Sequence, residues 1–132
     1  MTKISFINPS EVAAPTGYTH VVSVEGPKKI LYVSGQVSKN QKGEIVGRGD
    51  LEVQTRQVYA NLLAILKSQG ASFKDVVKLN TYSTNPEKID IIRKVRTEFI
   101  AGDEPPASTF VGVTALADPA FLVEIEVVAV LS

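Results

Sequence analysis

A chain of 132 residues with fourteen basic and fourteen acidic side chains carries no net charge, so it lacks the positive field that holds nucleic acid or an anionic membrane surface. It has no cysteine and one histidine, His20, which excludes disulfides, thiolate nucleophiles and cysteine- or histidine-rich metal sites. The length fits a single domain over residues 1–132; no apolar run approaches the ~20 residues that span a bilayer, and no signal-peptide core precedes it, which points to a cytoplasmic protein.

Ile4 to Ile7 is a short apolar start that can form an N-terminal strand, and Pro9 to Thr16 reads as an extended arm. His20 to Val24 and Lys29 to Val37 are β-branched runs separated by Glu25-Gly26-Pro27, which predicts a hairpin. Asn40 to Gly49, with three glycines, is a loop. Asp50 can cap a helix in which Val58, Leu62, Ile65 and Leu66 recur at helical spacing until Gly70 stops it.

Val76 to Tyr82 is a strand, and Asn85-Pro86 opens a second helix whose stripe is Ile89, Ile92, Val95 and Phe99, with Gly102 ending it. Asp103 to Ala107 is a loop; Thr109 to Leu116 and Phe121 to Leu131 read as a closing pair of strands. The order β-β-α-β-α-β-β predicts an α+β fold, a mixed sheet of about six strands with both helices on one face. In Phe121 to Val130 both alternating sets are apolar apart from Glu124 and Glu126. Two helices cannot cover both faces, so the patterning predicts self-association through the uncovered one.

Glu124 and Glu126 share a strand face about 7 Å apart. Carboxylates on an apolar strand must be paired or hydrated, and such a pair can also serve general acid–base chemistry; pairing with a lysine or arginine at an edge is the equally weighted alternative. Ser34-Gly35-Gln36 closes a strand where glycine lets a ligand approach the backbone or simply allows a turn. Tyr18 is either a ligand-facing phenol or a rim aromatic. Arg93, one turn after Ile89, can aim into a cleft or lie over apolar surface with its head in water.

Taken together, Gly17-Tyr18, Leu31 to Gln36, Gln54-Thr55-Arg56-Gln57 with Asn61, Asp75 to Lys78, Pro106-Ala107 and Val123 to Val130 resemble the reactive intermediate/imine deaminase family (Rid, also called YjgF). The match runs in order along almost the whole chain. It implies a chorismate-mutase-like fold and a homotrimer with three ligand clefts between subunits. Active members hydrolyse enamine and imine products of amino-acid dehydratases to a 2-keto acid and ammonia, with no cofactor and no metal.

Carried over by position, Tyr18, Ser34, Gly35 and Gln36 match cleft residues, and Glu124 matches a glutamate that places or activates water. The family's Pro-Ala-Arg-Ser arginine, which grips the substrate carboxylate, does not carry over: the motif here is Pro106-Ala107-Ser108-Thr109, and Phe110 stands where cysteine is common. Serine cannot replace a bidentate arginine–carboxylate contact, so efficient 2-aminoacrylate hydrolysis is not expected. Arg93, at the family's helix-two asparagine position, is the candidate to restore the charge.

In the enzymatic reading, Ser34, Thr109 and backbone N–H groups bind the polar end of a small imine, enamine or carbonyl metabolite, while Tyr18 and Phe110 shape the wall. The competing readings are a non-catalytic, metabolite-sensing or regulatory trimer and a ribonuclease. Neutral charge and a single histidine argue against the last.

Overall fold

The computed structural model describes residues 1–132. Six strands and two α-helices follow in the order β1 (Lys3–Ile7), β2 (Val21–Glu25), β3 (Lys29–Gln36), α1 (Leu51–Ser68), β4 (Val76–Ser83), α2 (Ile89–Arg96), β5 (Ala107–Gly112) and β6 (Val123–Leu131). This is the α+β arrangement expected, with the six strands hydrogen-bonded as a four-stranded mixed sheet, β3-β6-β4-β5, and a separate β1-β2 ribbon. No helix is long and apolar enough to cross a membrane.

Two expected strand pairings are not formed. β2 does not pair with β3: it runs antiparallel to β1, with Phe6 opposite Val22, while β3 pairs with β6. Gly26, at φ +64°, redirects the chain between the two sheets, and its carbonyl accepts from Thr2 Oγ1, which binds the turn to the start of β1. β5 and β6 do not pair with each other either, because both flank β4, β5 parallel and β6 antiparallel. A parallel neighbour needs a long crossover, and α2 supplies it between β4 and β5.

Asp50 caps α1 by accepting from the Val53 amide at 3.0 Å, and Gly70, at φ +76°, takes the left-handed turn that follows the helix. The second helix departs from expectation at both ends. Asn85 makes no capping bond, and Pro86–Lys88 forms a 3₁₀ turn before α2. The helix ends at Arg96 rather than Gly102, because the Phe99 and Ile100 amides both turn back onto the Arg96 carbonyl. That turn carries Phe99 inward, where it stacks on Tyr59 with ring centroids 5.2 Å apart.

Both helices pack on one sheet face. Val123, Ile125, Val127 and Ala129 of β6 and Leu79 of β4 are buried there against Val58, Leu62, Leu66, Ile92 and Val95. The opposite face divides by strand. β3 leaves Ile30 and Tyr32 exposed, Tyr32 at 79 %, whereas β4 contributes Lys78, Asn80 and Tyr82, which bond Thr109 and Glu126.

Candidate functional site

A cavity of about 660 Å³ opens between α2, the start of β5 and the segment around Tyr18. Three interactions fix its walls. The Thr19 amide and hydroxyl donate to the Pro106 and Pro105 carbonyls, and Arg96 Nη2 donates to the Gly17 carbonyl at 2.8 Å. Arg96 Nη1 lies 3.4 Å from Ser108 Oγ, so the position at which the family carries its arginine on β5 is met here by an arginine from α2.

The electrostatics of this cavity are one-sided. Arg93 and Arg96 are its only charged lining residues. Two acids of the helices are engaged elsewhere: Glu98 and Glu52 hold Arg56 at 2.7 and 3.3 Å, and Glu52 also holds Lys94 at 3.6 Å. The hydrogen bond from Arg56 keeps the Glu98 carboxyl below its ordinary range, a coupling confined to the exposed side of the helices. Tyr59 lines the same cavity; it is fully buried, and its hydroxyl has no hydrogen-bond partner. Burial pushes that phenol up to about 12, so it is a donor at neutral pH.

The two glutamates of β6 lie on the other face of the sheet and differ in their surroundings. Neither meets a lysine or arginine. Glu126 accepts from Tyr82 Oη at 2.5 Å and Asn80 Nδ2 at 3.3 Å, and the first of these bonds raises the Tyr82 pKa. Glu124 is left as the carboxylate that no side chain holds, and it packs on Gly35, where an added β-carbon would overlap its carboxyl group. Only glycine at that point lets Glu124 keep this position.

The candidate residues therefore fall into two groups. Tyr18, Arg93, Ser108 and Phe110 line the cavity on the helical side. Glu124 and Gly35 meet on the opposite side; Thr109 also faces that way, its hydroxyl accepting from Lys78 Nζ. Ser34 is exposed beside Gly35, its carbonyl accepting from Gln36 Nε2 at 3.1 Å. Arg93 is two-thirds exposed and sits 3.9 Å from Asp90, so Arg96, not Arg93, reaches Ser108.

Arg96 and Tyr59 were not among the sequence candidates. Arg96 does carry a signal, since it lies one turn beyond Ile92 on the helix and so borders the buried stripe. Tyr59 carries none, because an aromatic beside Val58 and Leu62 reads as core. No group of three or more histidine, cysteine, aspartate or glutamate side chains is placed to hold a metal ion.

Residues 9–131 match the family model described as Endoribonuclease L-PSP. A RutC family protein of Pyrococcus horikoshii is 38% identical over 100 residues, covering 75% of this chain and 77% of that protein. A Dermatophagoides farinae protein named 2-iminobutanoate/2-iminopropanoate deaminase is 34% identical over 101 residues, covering 76% and 77%. The crystal structure of YyfB, a Rid-family protein of Yersinia pestis, superimposes with a TM-score of 0.85 at 40% identity, covering 97% of this chain and 98% of that one. With a family model matched over nearly its full length and relatives of this identity, the chain belongs to the endoribonuclease L-PSP family, that of the Rid and YjgF proteins.

Proposed function

We propose that the protein hydrolyses a small imine or enamine to a carbonyl compound and ammonia, without a cofactor, in a cleft completed by a second copy of the chain. The observation that carries this reading is the Glu124 carboxylate, free of side-chain partners and seated on Gly35, whose missing side chain lets the carboxylate lie against the backbone. Water adds its oxygen to the imine carbon as Glu124 accepts a proton from it. Glu124 returns that proton to nitrogen, giving a carbinolamine; it then takes the hydroxyl proton and passes it to the same nitrogen as the carbonyl forms, the carbon–nitrogen bond breaks, and ammonia leaves. The similarity to a protein named as an imine deaminase supports the same chemistry.

The division of the candidate residues supports the second copy. Glu124 and the Ser108 cavity lie on opposite faces of one sheet, so a single chain cannot present both to one ligand. The exposed Ile30 and Tyr32 give the open face an apolar strip for another subunit to cover. A closed trimer, as the family resemblance implies, is the assembly proposed.

Incubation with imines released by an amino-acid oxidase, following ammonia, tests the reading. Wild-type protein accelerates release and Glu124→Gln does not; equal rates for both exclude Glu124 chemistry. A second reading, non-catalytic binding of a metabolite, is favoured by one observation: the arginine-lined cavity contains no carboxylate of its own to act as a base. Ligand-dependent thermal protection with background turnover in both proteins selects it.

A further inference from the structure

Tyr59, Arg96 and Ser108 are among the hydrogen-bond donors that border the cavity beneath α2, and no acid lines it to receive them. Tyr59 is fully buried, and its hydroxyl is the one buried side-chain group left without a partner. An unpaired buried hydroxyl is destabilising, and folded proteins satisfy nearly all such groups. Arg96, half-buried, directs N–H groups to the Gly17 carbonyl and Ser108 Oγ, and of the guanidinium's five N–H groups others remain free. Ser108 Oγ accepts from Arg96, so its own proton is available to donate.

We infer that Arg96, Tyr59 and Ser108 together form a subsite for the carboxylate of a small organic acid. The inference rests on the cleft proposed above but does not depend on turnover. A carboxylate suits this donor set because it is planar, matches the guanidinium fork and offers about four lone-pair directions for one cation and two hydroxyls. A neutral carbonyl presents a single acceptor and leaves the guanidinium charge uncompensated as the cavity closes. Arg93 at the rim adds positive potential while its own head stays near Asp90. The charge contact that Ser108 cannot make from β5 is thus supplied from α2, with the buried phenol as a second determinant.

Titration calorimetry with 2-oxobutanoate, which has no nitrogen to lose, and with its neutral amide reads this directly. The acid binds at least about tenfold more tightly than the amide. Tyr59→Phe lowers affinity for the acid about tenfold while the melting temperature stays the same or rises, the opposite of what a purely structural hydroxyl gives. Arg96→Lys keeps the charge, loses the fork and weakens the acid by a similar factor, with circular dichroism verifying the fold.

Equal binding of acid and amide, or wild-type affinity in Tyr59→Phe, overturns the subsite. If Glu124→Gln abolishes imine hydrolysis while acid and amide bind alike, the subsite fails and the hydrolytic reading survives. If the acid binds with these dependences and no imine is hydrolysed, the subsite survives and the hydrolytic reading fails.

Discussion

The Tyr82 hydroxyl donates to Glu126 Oε1 at 2.5 Å, so the second carboxylate of β6 is held in place while Glu124, two residues earlier, rests on Gly35. One strand thus carries a structural glutamate and a free one on the same face, and neighbours on β3 and β4 decide which is which.

Gly35→Ala separates the role of Glu124 from that of the fold. The new methyl group meets the far end of a flexible side chain, which can swing away, so the protein folds and melts close to wild type. The carboxylate no longer occupies its position, and imine hydrolysis falls about a hundredfold. Turnover measured alongside thermal melting checks both halves; a wild-type rate would show that Glu124 does not act from this place.

Gln54 holds the long connection into β6 onto α1. Fully buried, it donates to the Gly47 and Ala120 carbonyls at 3.1 and 2.8 Å and accepts from the Leu122 amide at 2.9 Å. Gly47 still accepts from the Asp50 amide, but Gln54→Leu leaves the Ala120 carbonyl and the Leu122 amide unpaired, and each unsatisfied buried group costs about 1–3 kcal/mol. The expected destabilisation is about 2 kcal/mol or more, read as a fall in the urea midpoint at unchanged slope.

Alkaline stability reports on Tyr59. Its phenol pKa is pushed from 10.0 to about 12 in the folded protein. The folded state therefore holds a proton that the unfolded chain releases first. The associated stability is complete below the unfolded value and is lost as pH rises through the folded one. Unfolding midpoints fall steeply between about pH 10 and 12, and Tyr59→Phe flattens that limb. Parallel slopes in the two proteins would remove Tyr59 as the cause.

Tyr32 tests the assembly. It is 79 % exposed on the face away from the helices, beside Ile30, and nothing within the chain explains a large apolar strip there. Tyr32→Glu places a charge where subunits are proposed to meet, and the mixture shifts to monomers in sedimentation velocity while secondary structure is kept. Imine hydrolysis falls with assembly, because the Glu124 side and the Ser108 side then no longer share a cleft.

Much of the fold is legible in the sequence because its signals are local. Asp50, the spacing from Val58 to Leu66 and Gly70 are enough to place α1, and the alternation in β6 identifies which residues face the helices. Strand partners are not legible. Whether β2 meets β1 or β3 is decided by Thr2 and Gly26, which are 24 positions apart, and β5 and β6 look like a pair until β4 is placed between them. The site follows the same rule. Glu124 and Gly35 stand out by residue type and setting, but Arg96 gains its place only through Gly17, 79 positions away, and Tyr59 differs from an ordinary core aromatic only by an unanswered hydroxyl.

The position of β6 bears on how the molecule comes together. As the last element of the chain it lies second in the strand order, forming ladders with both β3 and β4. Until residues 123–131 are in place, those two strands have no partner between them and the helices lack Val123, Ile125, Val127 and Ala129 to pack on. Assembly is thus dominated by contacts distant in sequence, the regime in which chains fold slowly, and loss of the nine residues of β6 removes the middle of the sheet rather than an edge.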